Sequence, residues 1–247
     1  MNGMFIDCPG MVTSVNTVSS QKPRDSKART SGDGGRTRTR RHERKAGAEA
    51  QEAGLARKRR YELKARAEAQ EATRARIAAA AASLHEEVGI ARTTVADIAR
   101  RAGVQRLTVY NHFPDLEALL PACTAHFEAE HPQPDFEPAL ALADPAERLR
   151  AVLTALYGWY RETAPMQRRV FGERATVPEL DAWIARSSDP VLAQLAGRLA
   201  AGFDRPDAQA LVAVALDFWT WQRLDREGLD DAAAAALMAG AVGGCAG

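Results

Sequence analysis

One short run of the sequence, VQRLTVYNHF at residues 104–113, concentrates side chains that can hydrogen-bond to nucleotides. Arg can bind the O6/N7 edge of guanine, Asn can pair with adenine, and the Thr methyl can contact the methyl of thymine. Tyr and His can donate to phosphate oxygens and so set the register of a protein on a duplex. The residues in question are Arg106, Thr108, Tyr110, Asn111 and His112.

Two helices joined by a tight turn are predicted to position these side chains. Thr94 followed by Asp97 has the form of a capping box, and a helix dipole favours the acid at that place. Gly103 stands where a left-handed residue often ends a helix. In the second helix the apolar residues Val104, Val109 and Phe113 can pack inward, and Pro114 ends it. Residues 94–113 therefore predict a helix-turn-helix, whose second helix enters the major groove of DNA.

The opposite face of the second helix is predicted to point away from the protein. It holds Gln105, Arg106, Thr108, Asn111 and His112, with Leu107 among them and Tyr110 at the margin. An ordinary solvent-exposed face usually shows Glu and Lys pairs, yet no acidic residue occurs between Asp97 and Asp115. The amides at the start of the first helix offer a further phosphate site. We therefore expect this surface to bind DNA.

The run TTVADIARRAGVQRLTVYNHFPDLEALL, residues 93–120, resembles the DNA-binding segment of the tetracycline-repressor (TetR) family of transcriptional regulators. The resemblance covers about residues 73–123. It implies homodimers of two-domain subunits that bind a palindromic operator, usually as repressors, and release it when a small ligand enters the C-terminal domain. By matching position, Thr94, Tyr110 and His112 would contact phosphates, while Arg106 and Thr108 would approach bases.

Two positions depart from the family pattern. Gln105 stands where a Ser or Thr often caps the second helix, and Gln is a poor cap, so this helix start must rely on packing or reach DNA instead. Leu116 stands where a Lys usually holds phosphate, which removes one expected contact.

Charge is distributed unevenly along the chain. Residues 1–113 carry 22 Lys and Arg against 12 Asp and Glu, a net of +10, and residues 114–247 carry 11 against 20, a net of −9. This asymmetry favours a polyanionic partner for the first half. Part of it comes from RTRTRRHER (36–44) and RKRR (57–60), which we interpret as an arm that binds DNA beside the operator. The alternatives are an ordinary basic tail and a native protein that begins after residues 1–55.

We expect an all-α fold in three parts. Residues 1–67 form a basic extension, disordered over residues 1–41 and partly helical from about 44; residues 68–123 form a three-helix DNA-binding domain; residues 124–247 form a helical effector-binding and dimerisation domain. Apolar spacing predicts the helices 68–88, 94–102, 104–113, 115–127, 149–160, 178–184, 190–203, 206–224 and 230–242. Residues 43–57 and 62–76 resemble each other, either as a repeat or as low-complexity sequence.

Two tasks are expected of the C-terminal part. The last two helices, 206–224 and 230–243, are candidates for a four-helix dimer interface, although they could equally complete the monomer core. An apolar effector pocket is predicted among seven aromatic residues, which could instead be core: Trp159, Tyr160, Phe171, Trp183, Phe218, Trp219 and Trp221.

Several other classes of protein are not favoured. No phosphate-binding loop, nucleophile elbow or metal-ligand spacing occurs, so we expect no enzyme, no cofactor and no metal site. The three cysteines, Cys8, Cys123 and Cys245, form no disulfide pattern, and neither a signal peptide nor a membrane span is visible, which favours the cytoplasm. Two alternatives to a ligand-responsive repressor remain: a nonspecific basic architectural protein, and a TetR-like regulator without an effector.

Overall fold

The computed structural model describes the backbone of residues 35–244 and the side chains of residues 51–244, apart from positions 53 and 56. This part is helical and contains no strand, so the all-α prediction is confirmed. Its helices are α1 (Gly35–Val88), α2 (Val95–Ala102), α3 (Arg106–His112), α4 (Leu116–Glu130), α5 (Glu137–Leu140), α6 (Pro145–Glu173), α7 (Pro178–Ala200), α8 (Ala208–Leu216), α9 (Phe218–Arg226) and α10 (Asp231–Gly243). Within these residues no helix has both the length and the apolar content needed to cross a bilayer.

The chain divides into two units, residues 1–60 and residues 61–247. In the first unit, residues 35–60 are helical, and the side chains described there are exposed. The prediction of disorder over residues 1–41 is therefore wrong for residues 35–41. Arg is a good helix former, and neither Gly nor Pro interrupts residues 36–46. Residues 1–34, which include Cys8, lie outside the described residues, and the domain boundary near residue 67 stays a prediction.

Within the second unit, the helices α1, α2, α3 and α4 share one apolar core. Ile77, Ala81 and Leu84 form the buried stripe of α1 at spacings of three and four residues, as predicted. They pack with Ile98 of α2, Val109 of α3 and residues of α4. Cys123 belongs to the same core, and burial raises the pKa of its thiol to about 12, so the thiol stays protonated. This core fixes the positions of α2 and α3.

A second core lies among α6, α7, α8, α9 and α10. Leu149, Leu153 and Tyr157 of α6 are completely buried in it, together with Ala235 and Val242 of α10. The small alanines of α10 allow it to lie close against α6. A third, smaller cluster connects the two cores and contains Ile90, Leu116, Leu120, Val170, Val177, Leu180, Trp183 and Ile184.

The predicted helix ends at residues 160 and 184 are wrong, because each helix continues through a later proline. The segments 178–184 and 190–203 form one helix, α7, which contains Pro190, and α6 continues through Pro165 to Glu173. Proline leaves the carbonyl four residues earlier without its helical partner. Pro165 and Pro190 are both exposed, so water can satisfy that carbonyl. Packing on both sides of Pro190, through Leu180 and Leu199, keeps α7 continuous.

The predicted helix 206–224 is also wrong, because Asp217 divides it into α8 and α9. Asp217 has an extended backbone, and its carboxylate accepts hydrogen bonds from Trp219 N at 2.8 Å and Thr220 N at 3.1 Å, which caps α9. The last carbonyls of α8 face the core. The hydroxyls of Tyr157 and Tyr160 donate to them, at 2.7 Å to Ala215 O and 2.8 Å to Leu216 O. The break is therefore stabilised from both sides.

Candidate nucleic-acid interface

The start of α2 is held by the predicted cap. Thr94 Oγ1 accepts from Asp97 N at 3.2 Å and donates to the Asp97 carboxylate at 2.6 Å. The hydrogen bond that Thr94 Oγ1 donates, and the nearby charge of Arg100, lower the pKa of Asp97. Thr94 itself is exposed. The first amides of α2 have no partner within the helix, so they remain available to an anion.

The turn between α2 and α3 has the geometry that the glycine predicts. Gly103 adopts φ +66° and ψ 38°, in the left-handed region. Its N–H donates to Arg100 O at 3.3 Å, and Val104 N donates to Ala99 O at 3.0 Å, which together form a Schellman motif. A Cβ at position 103 would meet no atom within 4 Å, so only the backbone conformation requires glycine here.

The inner face of α3 is buried as predicted. Val109 is 1% exposed and Phe113 is 3% exposed, while Val104 is half-buried. Gln105 precedes the helix without any side-chain capping bond. Gln105 thus provides no cap for α3, as expected of this residue type, and a contact of Gln105 with DNA stays a prediction.

The outer face of α3 differs in detail from the prediction. Gln105, Arg106, Leu107, Tyr110 and Asn111 are exposed, whereas Thr108 and His112 are half-buried. The orientation expected for Thr108 and His112 is thus only partly right, and Tyr110 lies well out from the margin, being 51% exposed. Since successive residues of a helix are turned by about 100°, Tyr110 and Leu107 lie nearest the centre of this face. Leu107 is 66% exposed.

Arg74 of α1, which the sequence analysis did not identify, holds the other end of α3. Its Nη1 donates to His112 O at 3.1 Å, and its guanidinium lies 4.2 Å from the centre of the Phe113 ring. A cation is favourable at the C-terminus of a helix, where carbonyls are unpaired. Arg74 is one of many arginines in α1, and only its tertiary contacts distinguish it.

The arginines of α2 are engaged with acids. Arg101 donates to the Glu87 carboxylate and to Ser83 Oγ, which joins α2 to the end of α1, and Arg100 pairs with Asp97 at 2.5 Å. The bond from Arg101 is the main reason why the pKa of Glu87 is lowered. Within α3, Arg106 is exposed, whereas the other basic side chain, His112, is half-buried.

Two further predicted features can be placed. Leu116, at the position where lysine is common, packs into the third cluster with Ile90 and Leu120, so it serves the core. In the basic extension, residues 57–60 are exposed, whereas the side chains of residues 36–44 lie outside the described residues.

Comparison with known proteins identifies this arrangement. Residues 77–123 match the family model of bacterial regulatory proteins, tetR family. A 58-residue stretch is 47% identical to an uncharacterized HTH-type transcriptional regulator of Mycobacterium bovis, covering 23% of this chain and 31% of that protein. Residues 77–123 of this chain are a DNA-binding segment of the tetR-family type.

Other similar proteins agree with this assignment of the segment. An uncharacterized HTH-type transcriptional regulator of Mycobacterium tuberculosis is 50% identical over 48 residues, covering 19% of this chain and 25% of that protein. The alignments thus span less than a third of each relative. A crystal structure of a transcriptional regulator from Rhodococcus sp. Rha1 has a TM-score of 0.50 and 23% identity, over 68% of this chain and 94% of that one. That likeness extends the fold beyond the DNA-binding segment.

In the C-terminal part of the chain, six of the seven predicted pocket residues come together. Rings of Trp159, Tyr160, Phe171, Phe218, Trp219 and Trp221 form a connected set of contacts with centroid separations of 5.2–5.8 Å. We call these six residues the aromatic cluster. Trp183 is not among them, because it packs in the third cluster. An effector site at the aromatic cluster stays a prediction.

Buried polar groups border the aromatic cluster. Burial, and secondarily the carboxylate of Asp217, raises the pKa of Tyr160. Gln222, one turn after Phe218 on α9, is 2% exposed, and its Nε2 has no hydrogen-bond partner. A buried donor without a partner lowers the stability of the protein. Because a ligand acceptor bonded to this amide would remove that cost, Gln222 is a candidate contact for a ligand. Among the described residues, no group of three or more His, Cys, Asp and Glu side chains is placed to hold a metal.

The helices predicted to form a dimer interface contribute to the monomer core and also expose apolar side chains. Ala235 and Val242 of α10 are completely buried. Val214 of α8, Trp219 of α9 and Leu237 of α10 are 51%, 43% and 52% exposed. Cys245 lies outside the described residues. Dimerisation through this surface stays a prediction.

Proposed function

We propose that this chain is a DNA-binding transcriptional regulator of the tetR family, and not an enzyme, and that it binds a near-palindromic operator as a homodimer in the cytoplasm. The observation that carries the proposal is the outer face of α3. It combines the exposed side chains of Arg106, Leu107, Tyr110 and Asn111 on a helix fixed from its inner face by Val109. Exposed apolar and hydrogen-bonding groups side by side suit the edges of bases in a major groove.

The two kinds of DNA contact divide among named residues. Arg106 and Asn111 contact base edges, since their donors and acceptors match guanine and adenine. Tyr110 donates to a phosphate, and the exposed start of α2 at Thr94 binds another. Thr108 and His112 are half-buried and lie at the edge of this surface, where they contact the phosphate backbone or the bases of the DNA.

A homodimer follows from the same proposal. Two copies of α3 must meet successive major grooves, so their half-sites lie about 34 Å, or about ten base pairs, apart. The exposed apolar residues Val214, Trp219 and Leu237 offer a surface that a second copy of the chain would cover. The aromatic cluster, with the unpartnered amide of Gln222, is the proposed effector site, and binding there would release the operator.

Selection of bound sites from random duplex DNA, followed by footprinting, tests the function. A regulator protects a short near-palindrome with half-sites about one turn or a multiple apart, whereas an architectural protein protects DNA uniformly. Arg106→Ala should relax base preference at one position of each half-site, and Tyr110→Phe should weaken binding equally on all sequences. A direct contact to a base is worth about 1–3 kcal/mol, which is roughly 5- to 150-fold in affinity. Uniform protection, or exchanged effects of the two variants, would contradict the assigned roles.

A further inference from the structure

The C-terminal turn of α6 contacts the turn that leads into α2. Glu173, the last residue of α6, accepts a hydrogen bond at 2.9 Å from Ala91 N through its Oε2. One turn earlier on α6, Arg169 Nη2 donates to Glu87 O at 3.0 Å, near the end of α1. The helix that carries part of the aromatic cluster therefore holds the DNA-binding segment at two neighbouring points.

Gly89 provides the space for this contact. Its φ is +95°, and a Cβ at this position would lie 1.9 Å from Glu173 Oε1 and 2.8 Å from Glu173 Cδ. Both atoms are far too close for any side chain at position 89 to coexist with the carboxylate. Glycine is thus required here for the backbone conformation and for the approach of Glu173.

The turn that Glu173 contacts is also held by hydrogen bonds of its own. Gly89 N donates to His85 O at 3.0 Å, Thr93 N donates to Ile90 O at 3.2 Å, and Thr93 Oγ1 donates to Gly89 O at 2.7 Å. The next residue is Thr94, the cap of α2. A displacement of residues 89–93 must therefore be passed on to the start of α2, where a phosphate is expected to bind.

The opposite side of the same turn of α6 packs on α9. The Phe171 ring lies 5.8 Å from the Phe218 ring, and Gly172 lies against the Trp219 indole, which a Cβ would approach to 4.0 Å. Three consecutive residues, 171–173, consequently contact the aromatic cluster on one side and the DNA-binding segment on the other. A change in the packing of α9 on α6 is therefore transmitted through residues 171–173 to the turn before α2.

We propose that Glu173 is a positioning residue that couples the packing of α9 on α6 to the orientation of α2 and α3 on DNA. The proposal rests on the proposed function, because it assumes that α2 and α3 bind an operator. The carboxylate acts through the Ala91 amide and contacts no DNA itself. Because coupling between two sites is reciprocal, operator binding must also alter the surroundings of Trp219.

Tryptophan fluorescence can measure that reciprocal effect without knowledge of the effector. The four tryptophans of the chain, Trp159, Trp183, Trp219 and Trp221, all lie C-terminal to the DNA-binding segment. The full-length protein is titrated with the selected operator duplex and with a scrambled duplex. The operator should change the emission, and Trp219→Phe should remove most of that change.

Variants at Glu173 then test the residue. Glu173→Ala should weaken operator binding by roughly 5- to 20-fold, within the usual range of coupling, and should abolish the fluorescence change. Glu173→Gln keeps the volume of the side chain and one acceptor oxygen. Compared with Glu173→Ala, it should recover part of the operator affinity and part of the fluorescence change. Circular dichroism and thermal unfolding show whether each variant is folded. If Glu173→Ala cannot be purified folded, the Gly89→Ala titration decides: an unaltered affinity and emission change in that variant would overturn the proposal.

Gly89 offers an independent test with a matched control. Gly89→Ala should displace the carboxylate and reproduce the loss of operator affinity and of the emission change. Gly228 has a similar φ of +85°, and a Cβ there would meet no atom within 4 Å, so Gly228→Ala introduces comparable backbone strain without that displacement. Gly228→Ala should keep both signals.

The outcomes separate the two proposals. If the wild-type protein selects no sequence from random DNA, the proposed function fails and the coupling with it. If the wild type binds an operator but Glu173→Ala binds it equally well with an unchanged emission response, only the role of Glu173 is overturned. Equal losses in Gly89→Ala and Gly228→Ala would likewise overturn it, since strain alone would then account for them.

Discussion

Leu107 gives the most specific prediction about base recognition. It is 66% exposed near the centre of the outer face of α3, between Arg106 and Thr108 in sequence. The thymine methyl is the apolar group that a base pair presents in the major groove. We predict that Leu107 contacts one thymine methyl in each half-site, the role that the sequence analysis gave to the less exposed Thr108.

The expected size of the effect follows from the one group that is removed. Replacing thymine by deoxyuridine deletes only the methyl, and burial of one such carbon is worth about 0.8 kcal/mol, or about fourfold in affinity. A two-fold symmetric complex buries two of them, which raises the expected loss to about 1.6 kcal/mol, or roughly 15-fold. Most of the Leu107 side chain is exposed in the free protein, so it has enough apolar surface for this contact.

A scan of the operator with deoxyuridine at each thymine, in both half-sites at once, locates the contact. Affinities are measured by fluorescence anisotropy at one fixed salt concentration, because phosphate contacts make binding strongly salt-dependent. At one position, deoxyuridine should reduce the affinity of the wild-type protein about 15-fold and leave the affinity of Leu107→Ala almost unchanged. Leu142→Ala, the same change at a residue 41% exposed before α6, should keep the full loss. If Leu107→Ala remains as sensitive as the wild type at every thymine, the contact does not exist.

Two further predictions concern stability. Burial lowers the pKa of His85 from 6.5 to about 4, so the unfolded chain binds a proton first as the pH falls and stability is lost between about pH 6.5 and pH 4. His85→Leu should reduce the drop in unfolding free energy between pH 7 and pH 4.5 by about 2–3 kcal/mol in urea titrations, and parallel curves for the two proteins would contradict this. Gln222→Met should raise the unfolding free energy by about 1 kcal/mol, because it removes a buried donor without a partner. A decrease would mean that the amide is bonded in solution.

Features set by neighbouring residues could be predicted from the sequence. The Thr94 cap depends on a residue three positions away, and the Gly103 turn depends on a conformation that glycine adopts at low cost. The inner face of α3 follows from helical periodicity, which placed Val109 and Phe113 correctly. These local features are the ones on which the DNA-binding prediction depended.

Features set by distant residues could not be predicted. The division at Asp217 is stable because Tyr157 and Tyr160, about 56 residues earlier, donate to the carbonyls at the end of α8. The continuity of α7 through Pro190 depends on packing on both of its sides. Neither contact leaves a pattern in the sequence around the helix end concerned. The same is true of Arg74 and Glu173, whose roles consist of tertiary hydrogen bonds.

Helix α3 therefore cannot be understood from its own sequence. It has seven residues and no side-chain cap, and an isolated helix of that length is not stable in water. Its orientation comes from the burial of Val109, from the Gly103 turn, and from Arg74, which fixes its last carbonyl. Arg74 lies before the family-matched segment, residues 77–123, and Glu173 lies 50 residues after it. The orientation of α3 is accordingly supported also from outside that segment, by Arg74 at the C-terminal end of α3 and by Glu173 through the turn before α2.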